Sequence, residues 1–459
     1  MRTDIIHSTF LRATDAHARP ADNPVPDVER AAGGAPNTSW QARAALFFTV
    51  FLPFALGQYM HALLRNVNAV LVPDLVASLS LNPGQLGLLT STFFFSVVLA
   101  QLPTAYALER HGPHKVQLAM LLLAALGALM FSYGTTLTQL VLARAVIGFG
   151  VGGTMMVAVK AISAGVVAER LPSSVGFLIA FGGLGSASAT LPLRRVLELT
   201  DWRGLFIGLA ALTAAIALFA WLVRPRQGGA APTKAPSARA LLEVWRNRAF
   251  RKTIMLVLLS HTIYWGIQGL WIGRWLSDVA RFSERTVAYL LYLSMAAVIF
   301  GAIAVGMITE WAKRRGIAPL DVAAIGVAGF VLVQCTIVLN HAPTFPQLAV
   351  LFTLVGTITG IEYTIVQQSL PRELAGPASS CLNMLIFIGA FLVQAGFGQL
   401  IGLWAPDALG HYPAIAYRVG FGVLVLVQLP GLVMYALGRR SASRMAPILV
   451  AEEDFAKPA

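Results

Sequence analysis

Twelve windows of mostly apolar residues, separated by short polar stretches, run through this chain of 459 residues. A bilayer core about 30 Å thick needs about 20 apolar residues per helix, which is the size of these windows. We therefore predict an all-α membrane protein with twelve transmembrane helices. The windows, named spans 1 to 12, are residues 44–73, 84–104, 115–134, 138–160, 174–198, 204–223, 253–274, 286–309, 319–340, 346–367, 377–403 and 413–437.

The composition agrees with a membrane protein and argues against a nucleic-acid partner. Hydrophobic residues make up 57% of the chain and charged residues 12%, against roughly 25% charged residues in soluble domains. The formal net charge is +13, but its Lys and Arg residues are scattered between apolar segments and form no single solvated face. The lipid bilayer is therefore the predicted environment, and no nucleic-acid binding is expected.

No motif in the sequence indicates a cofactor, a metal site or an enzyme. Both cysteines, Cys335 and Cys381, lie inside apolar runs, as small buried side chains do. The segment 148–153 has the spacing of a dinucleotide fingerprint, but it lies within an apolar helix and follows no strand. No phosphate-binding loop is present, so ATP is not the energy source within this chain.

The distribution of basic residues predicts the orientation. Residues 1–42 lack the apolar core of a signal peptide and are predicted to be a disordered tail. If the chain starts inside, 24 of the 34 Lys and Arg residues fall on the cytoplasmic side and seven on or near the opposite side. Basic loops stay in the cytoplasm, so we predict a cytoplasmic (inner) membrane protein with both termini inside.

Several landmarks recur at a fixed offset, which indicates an internal duplication. The segment Ala105-Tyr106-Ala107-Leu108-Glu109 is echoed 201 residues later, and an arginine and a tryptophan each recur after 202 residues. We predict two pseudo-symmetric six-helix bundles, an arrangement typical of transporters that rock one half against the other. The predicted parts are a cytoplasmic tail at 1–42, bundles at 43–224 and 253–438, a cytoplasmic linker at 225–252 and a second cytoplasmic tail at 439–459.

The sequence between spans 2 and 3 resembles the signature of the major facilitator superfamily. Glu109, Arg110 and Gly112 match its positions, although Ala105 replaces the usual glycine. Two further stretches resemble the helix 4 pattern and the turn into helix 6 of that superfamily, at 144–150 and 201–206. The resemblance covers roughly residues 44 to 440 and implies the fold of that superfamily, but it says little about the solute.

The two signature turns are candidates for a cytoplasmic gate. The carboxylates there can accept hydrogen bonds from helix N-termini or basic turns of the other half, which would hold the inner side shut until the halves rock. The gate residues are Glu109, Arg110, Gly112, Glu310 and Arg314.

Charged residues within spans are costly, at about 2.5 to 3.5 kcal/mol each or more, so they usually face a cavity or a partner. Lys160 and Glu362 are separated by 202 residues, which is the repeat offset. We predict that they pair in one state and separate in another, with Glu362 taking up a proton. The structural alternative is that Lys160 reaches the cytoplasmic interface and Glu362 makes a static helix contact.

Arg144 in span 4 has two alternative roles. It matches the helix 4 arginine of the superfamily, and the resemblance associates that arginine with proton coupling in exporters. Alternatively, Arg144 ties span 4 to neighbouring carbonyl groups near the outer face.

Span 1, predicted as a single tilted helix, carries the candidate solute site. Arg65, His61 and Asn68 share a helical face, and Asn66 adds a further polar group. The planar fork of an arginine suits a carboxylate or a phosphate, so we predict an anionic solute. The alternative is that Arg65 marks the outer end of the span and meets lipid headgroups or water.

Span 7 supplies candidate walls for the same site. Aromatic side chains and one amide follow at helical spacing, with His261 one turn earlier: Tyr264, Trp265, Gln268 and Trp271. Aromatic stripes in membranes also serve as packing contacts or interfacial belts, which is the alternative.

The sequence thus predicts a secondary transporter that moves a small anionic organic solute by alternating access. It is expected to act as a monomer, with the proton as the candidate coupling ion and symport as the mode. Two alternatives stay open: an exporter of amphipathic compounds in exchange for protons, and a membrane receptor that transports nothing.

Overall fold

The computed structural model of the protein describes residues 47–165, 171–224, 238–340 and 342–455. The predicted tail at 1–42 and residues 225–237 of the predicted linker lie outside these ranges. The described chain consists of helices and short turns, with no strand among the described residues. The prediction of an all-α membrane protein is confirmed.

The described residues of the N-terminal half, 47–165 and 171–224, form nine α-helices after a short π-helical turn at Phe47–Phe51. Helices α1 and α2 form span 1, α5 and α6 form span 4, and α7 and α8 form span 5. The helices are α1 (Leu52–Asn66), α2 (Asn68–Leu79), α3 (Pro83–His111), α4 (Pro113–Tyr133), α5 (Leu137–Val151), α6 (Thr154–Gly165), α7 (Leu171–Ser188), α8 (Leu191–Leu197) and α9 (Trp202–Leu222).

The C-terminal half, residues 238–455, begins with an amphipathic helix of nine residues before span 7. Helices α11 to α13 form span 7, and α16 and α17 form span 10. The helices are α10 (Ala238–Arg246), α11 (Arg248–Thr253), α12 (Leu259–Gln268), α13 (Trp271–Asp278), α14 (Glu284–Arg314), α15 (Pro319–Leu339), α16 (Phe345–Ile358), α17 (Glu362–Ser369), α18 (Arg372–Ile401) and α19 (Ala414–Phe455).

Ten helices in the described chain are long and apolar enough to cross a membrane, and two bent pairs raise this number to twelve. The bent pairs are span 5, with a bend of 40° before Leu191–Leu197, and span 7, with a bend of 57° before Trp271–Asp278. With each bent pair counted as one span, the twelve predicted windows are confirmed in number and order.

Three boundaries differ from the prediction. Span 1 continues to Leu79, and its helical hydrogen bonding is interrupted at Val67, whose backbone dihedrals stay helical at φ −52° and ψ −38°. The helix leading into span 7 begins at Arg248, inside the predicted linker. The predicted tail after residue 438 continues as helix α19 as far as Phe455.

Local sequence signals explain where several spans begin and end. Asn82 caps α3 by accepting a hydrogen bond from the Gln85 N–H at 2.8 Å, and Asp201 caps α9 in the same way. Gly112 has φ +75° between spans 2 and 3, a left-handed conformation that favours glycine. The signature turn therefore needs a glycine at this position.

Close helix packing uses the glycine-rich segment of span 4. A Cβ atom on Gly150 would lie 2.4 Å from the Ala124 backbone nitrogen of span 3, and one on Gly148 would lie 2.7 Å from the Phe93 carbonyl oxygen of span 2. Only glycine permits these approaches. The segment 148–153 thus serves helix packing in this fold.

The described loops lie on two faces, because consecutive spans cross in opposite directions. We call the face with residues 111–113, 238–247, 314–319 and 369–372 the terminal face, and the face with residues 80–82, 134–136, 198–201, 279–283 and 402–413 the opposite face. Span 2 packs along span 11, where Phe94 meets Phe387 and Phe95 meets Phe391 with ring centroids 6.0 and 5.4 Å apart. The two halves thus contact each other near the middle of the spans.

Candidate functional site

Arg144 of span 4 is buried beside the interruption in span 1, with 1% of its surface exposed. Its guanidinium donates hydrogen bonds to the Leu64 carbonyl at 2.6 Å and to the Arg65 carbonyl at 2.8 Å, and it stacks over Phe93. Charged donors to backbone oxygen make strong hydrogen bonds in an apolar interior. Arg144 therefore holds the backbone that carries Arg65, as its second predicted role requires, and its role in proton coupling stays a prediction.

Arg65 points from span 1 towards the other half of the molecule. Its guanidinium carbon lies 4.2 Å from the ring centroid of Trp265 in span 7, a cation–π geometry. Among the residues that the structure describes, no side chain accepts a hydrogen bond from this guanidinium and no carboxylate pairs with it. A half-buried cation in mid-span thus lacks a counter-ion.

Glu362 of span 10 is fully buried and bonds to His261 of span 7. Its Oε1 atom lies 2.6 Å from the His261 Nδ1 atom, whereas Oε2 has no hydrogen-bond partner in the described chain. The indole N–H of Trp265 donates to the other ring nitrogen of His261 at 2.7 Å. Glu362, His261, Trp265 and Arg65 therefore form a continuous chain of contacts from one half to the other.

Lys160 does not pair with Glu362 in this conformation, in which the described partner of the carboxylate is His261. Lys160 lies half-buried near the terminal-face end of span 4. A fixed offset along the sequence puts the two residues at related depths, but it does not fix the rotation of each helix about its axis. The alternation of this pair between states stays a prediction.

The polar residues of span 1 contact different neighbours. His61 Nδ1 lies 2.8 Å from the Val151 carbonyl oxygen in span 4, and the Asn66 amide donates to Ser186 of span 5 at 3.0 Å. The buried Asn68 amide has no hydrogen-bond partner among the described residues. The predicted stripe therefore divides between spans 4, 5 and 7, and Arg65 is the member that faces the C-terminal half.

The predicted site residues of span 7 differ in their contacts. Gln268 accepts a hydrogen bond from Thr353 at 2.6 Å and leaves its amide nitrogen without a described partner, and Tyr264 lies one turn from His261. Trp271 is fully buried, packs on Phe397 and donates its indole N–H to the Gln394 carbonyl. In this conformation Trp271 is a packing residue between spans 7 and 11, as the alternative for the aromatic stripe proposed.

The charged gate residues are exposed on the terminal face, and Gly112 is half-buried there. Glu310 and Arg314 pair within their own helix at 2.6 Å, and Arg110 donates to the Tyr106 hydroxyl one turn away. Glu109 is exposed at the end of span 2. The described contacts of the charged pairs stay within one half, so a gate closed by these residues stays a prediction.

Ionic contacts between the halves lie on the opposite face. Arg194, on the bent end of span 5, pairs with Asp74 of span 1 at 3.0 Å and with Glu284 at the start of span 8. The contact with Glu284 joins the two halves. Among the described residues, an ion pair thus connects the two halves on this face.

The loop before span 12 is held by two carboxylates. Asp407 accepts backbone hydrogen bonds from His411 and Leu409 and pairs with Arg281 at 2.6 Å, which lowers its pKa from 3.8 to about 2. The buried Asp278 accepts a hydrogen bond from the Tyr417 hydroxyl at 2.7 Å. These carboxylates fasten the loop and lie at the end of the spans, away from Arg65.

His261 and Trp265 were among the span 7 candidates, but their role in joining Arg65 to Glu362 was not predicted. Each lies 200 residues after a predicted site residue, His61 and Arg65 respectively, within two residues of the repeat offset. A search within two residues of this offset from His61 and Arg65 includes both positions. Among the described residues, no group of three or more His, Cys, Asp or Glu side chains could hold a metal ion.

Comparison with known proteins assigns a family to this arrangement. The sequence model described as Major Facilitator Superfamily matches residues 54–394. The chain is 24% identical over 438 residues to a Cronobacter sakazakii protein named as a candidate multidrug resistance protein, MdtD, over 83% of this chain and 92% of that protein. It is 25% identical over 328 residues to NiaP of Bacillus subtilis, named as a candidate niacin/nicotinamide transporter, over 69% and 77%.

A solved structure shares the fold. The chain is similar to a crystal structure of a bacterial homologue of the human lysosomal transporter Spinster, in an inward-facing and unoccupied conformation. The TM-score is 0.71 at 17% identity, over 85% of this chain and 96% of that one. At this identity the likeness establishes the fold alone.

Proposed function

The chain belongs to the major facilitator superfamily of transporters, and we propose that it moves a small organic anion across the cytoplasmic membrane together with a proton. The observation that carries this proposal is the chain of contacts from Arg65 through Trp265 and His261 to Glu362. It joins a cation without a counter-ion to a buried carboxylate with a free oxygen.

The unpaired guanidinium of Arg65 favours an anionic solute. A cation in the membrane interior is costly unless a counter-charge or water compensates it. The half-buried Arg65 lies over Trp265, whose ring compensates only part of that cost. A carboxylate or phosphate could accept two parallel hydrogen bonds from the guanidinium fork and supply the missing charge.

Charge balance supports proton coupling at Glu362. Without solute, the positive charge of Arg65 and the negative charge of Glu362 sum to zero. When a solute with one negative charge binds Arg65, the site carries an excess negative charge, which one proton on Glu362 removes. Binding of anion and proton together leaves the net charge of the interior unchanged, and this avoids the desolvation cost of an added buried charge. This balance favours symport of one proton with each monoanion.

Alternating access would use the two faces differently. The Arg194–Glu284 pair would keep the opposite face closed while the terminal face, which we propose to be cytoplasmic, admits the solute. In the other state, Glu109, Arg110, Gly112, Glu310 and Arg314 would close the terminal face, and Lys160 would approach Glu362. The protein would act as a monomer, because each chain contains both halves of the pathway.

A ligand screen followed by a flux assay tests this proposal. Purified protein is melted in the presence of organic acids, sugars, amino acids and cationic dyes, because a ligand that binds only the native state raises the melting temperature. Uptake of the best ligand is then measured in proteoliposomes with an inward proton gradient. We expect organic acids to raise the melting temperature, to be taken up, and to compete with one another.

Other results would identify the alternatives. Competition by hydrophobic cations, with no effect of organic acids, would indicate an exporter of amphipathic compounds. Ligand binding without flux in the proteoliposomes would indicate a receptor. Either result contradicts the proposed symport of an organic anion.

A further inference from the structure

The hydrogen bonds of His261 determine which of its two ring nitrogens carries the proton. The indole N–H of Trp265 can donate a hydrogen bond but cannot accept one. It lies 2.7 Å from the Nε2 atom of His261, so this nitrogen must present its lone pair. A neutral imidazole has one protonated nitrogen, which is therefore Nδ1, and its N–H donates to Glu362 Oε1 at 2.6 Å.

The same contact opposes a charged His261. An imidazolium carries N–H groups on both nitrogens, so its Nε2–H would face the indole N–H of Trp265 at hydrogen-bond distance, donor against donor. Protonation of His261 thus requires the Trp265 hydrogen bond to break. Glu362 Oε2 has no such obstacle, because it is a buried acceptor without a described partner.

We propose that Trp265 is a positioning residue: its indole N–H holds His261 in the neutral Nδ1–H form and thereby directs the transported proton to Glu362 Oε2. This inference rests on the proposed proton-coupled function and deepens it. In the step, a lone pair of Oε2 takes a proton from a hydronium ion of the aqueous phase, whose O–H bond breaks to leave water, and the carboxylate becomes a neutral carboxylic acid.

Trp265 also connects this proton site with the anion site. Its ring supports the Arg65 guanidinium at 4.2 Å, while its N–H binds His261. Displacement of the ring by a bound solute would free His261 Nε2 and change where the next proton binds. Among the described residues, Tyr264 of span 7 and Tyr363 of span 10 face the His261–Glu362 pair, and Tyr363 donates to Asn383 of span 11. Arg65 of span 1 contacts the pair through Trp265.

The variant Trp265→Phe tests the inference, because phenylalanine keeps an aromatic face for Arg65 and removes the N–H donor. The matched control is Trp202→Phe, since Trp202 also lies under an arginine, Arg203, at 4.2 Å but donates to no described histidine. Proton-driven uptake is measured against pH in proteoliposomes for the wild type and both variants. We expect Trp265→Phe to move the midpoint of the profile to higher pH by about half to one unit, the effect of one hydrogen bond.

We expect Trp202→Phe to keep the wild-type midpoint. A Trp265→Phe profile that coincides with the wild type would overturn the inference. So would an equal shift in both variants, because it would show a general effect of removing a buried indole.

A spectroscopic measurement keeps the inference testable if Trp265→Phe fails to fold. Wild-type protein with ¹⁵N-labelled histidine is reconstituted in lipid, and the His261 signals are assigned by their loss in His261→Gln. Nitrogen chemical shifts at high pH distinguish the two neutral forms. We expect the Nδ1–H form for His261, and a spectrum with the Nε2–H form contradicts the inference.

The experiments distinguish a failure of the proposed function from a failure of the proposed role of Trp265. If no organic anion is transported and the spectrum still shows the Nδ1–H form, the proposed function is wrong and the role of Trp265 in fixing His261 survives. If proton-coupled uptake occurs and the spectrum shows the Nε2–H form, the proposed function survives and the role of Trp265 is wrong.

Discussion

His61 and His261 occupy corresponding places in spans 1 and 7, yet their partners differ in charge. His61 contacts the Val151 backbone carbonyl in span 4, whereas His261 contacts the Glu362 carboxylate in span 10. Arg65 and Trp265 also occupy corresponding places and differ in charge, and their side chains contact each other between the halves. The duplication supplies equivalent positions, and single side-chain differences give the N-terminal half a cation and the C-terminal half an acid.

This comparison suggests a division of labour. A histidine bound to a backbone carbonyl has a neutral partner that does not titrate, so its contact serves packing. A histidine bound to a buried carboxylate belongs to a pair that can exchange a proton. We therefore assign the solute charge to the N-terminal half and the proton to the C-terminal half.

The largest effect is expected from Glu362→Gln, which removes the acid and keeps its shape. An imposed gradient of one pH unit is worth about 1.4 kcal/mol per proton, or about tenfold accumulation of solute in the wild type. We expect this accumulation to disappear in the variant, while exchange of labelled for unlabelled solute continues. Uptake and exchange in the same proteoliposomes measure both.

The control for this prediction is Glu198→Gln, which removes an exposed carboxylate paired with Arg195 at 3.5 Å on the opposite face. It should accumulate solute like the wild type. Wild-type accumulation in Glu362→Gln would place the proton site elsewhere and end the proposed asymmetry between the halves.

A smaller effect is expected from Arg65→Lys, which keeps the charge and removes the planar fork. Losing one of two charge-assisted hydrogen bonds costs about 1.5 kcal/mol, or about tenfold in affinity for the anion. Equilibrium binding of the solute identified by thermal shift measures this change. Unchanged affinity would indicate that Arg65 does not bind the solute and would favour its contact with water or headgroups.

The two histidines can be compared directly. We expect His61→Gln to lower the free energy of unfolding by about 1 kcal/mol through the altered contact with the Val151 carbonyl, without moving the pH midpoint of uptake. We expect His261→Gln to move that midpoint. Equal pH profiles in the two variants would show that the partners of these histidines do not distinguish the halves.

The smallest effect concerns a carboxylate outside the spans. The pKa of Asp407 is lowered from 3.8 to about 2, so its stabilising contribution is present above pH 3.8 and is lost as the pH falls towards 2. Asp407→Asn should therefore melt slightly earlier than the wild type, by a difference that stays constant from pH 5 to 8. A difference that fades within this range would contradict the hydrogen-bonding pattern of the loop.

The sequence predicts the span pattern well because a bilayer imposes a length on every helix. The helix cap at Asp201 and the positive φ at Gly112 also depend on residues close in sequence. The interruption of span 1 at Val67 could not be predicted in this way. It lies where Arg144, 80 residues from Leu64 along the chain, binds two backbone carbonyls.

The partner of Glu362 was missed for a related reason. The repeat offset relates Lys160 to Glu362 in depth, but contact also depends on the rotation and approach of helices from different halves. His261 reaches Glu362 because spans 7 and 10 belong to the same half and pack closely. Equally, the spacing of Trp271 gave no sign that it faces span 11 and lies fully buried.

The central claim is that solute and proton bind together, one in each half. Calorimetric titration of the solute in two buffers that differ in ionisation enthalpy counts the protons taken up on binding. If solute and proton favour each other's binding, reciprocal linkage requires that they be taken up together. We predict uptake of close to one proton per monoanion in the wild type at a pH where Glu362 is ionised, and none in Glu362→Gln. A binding enthalpy that is the same in both buffers for the wild type would contradict the account.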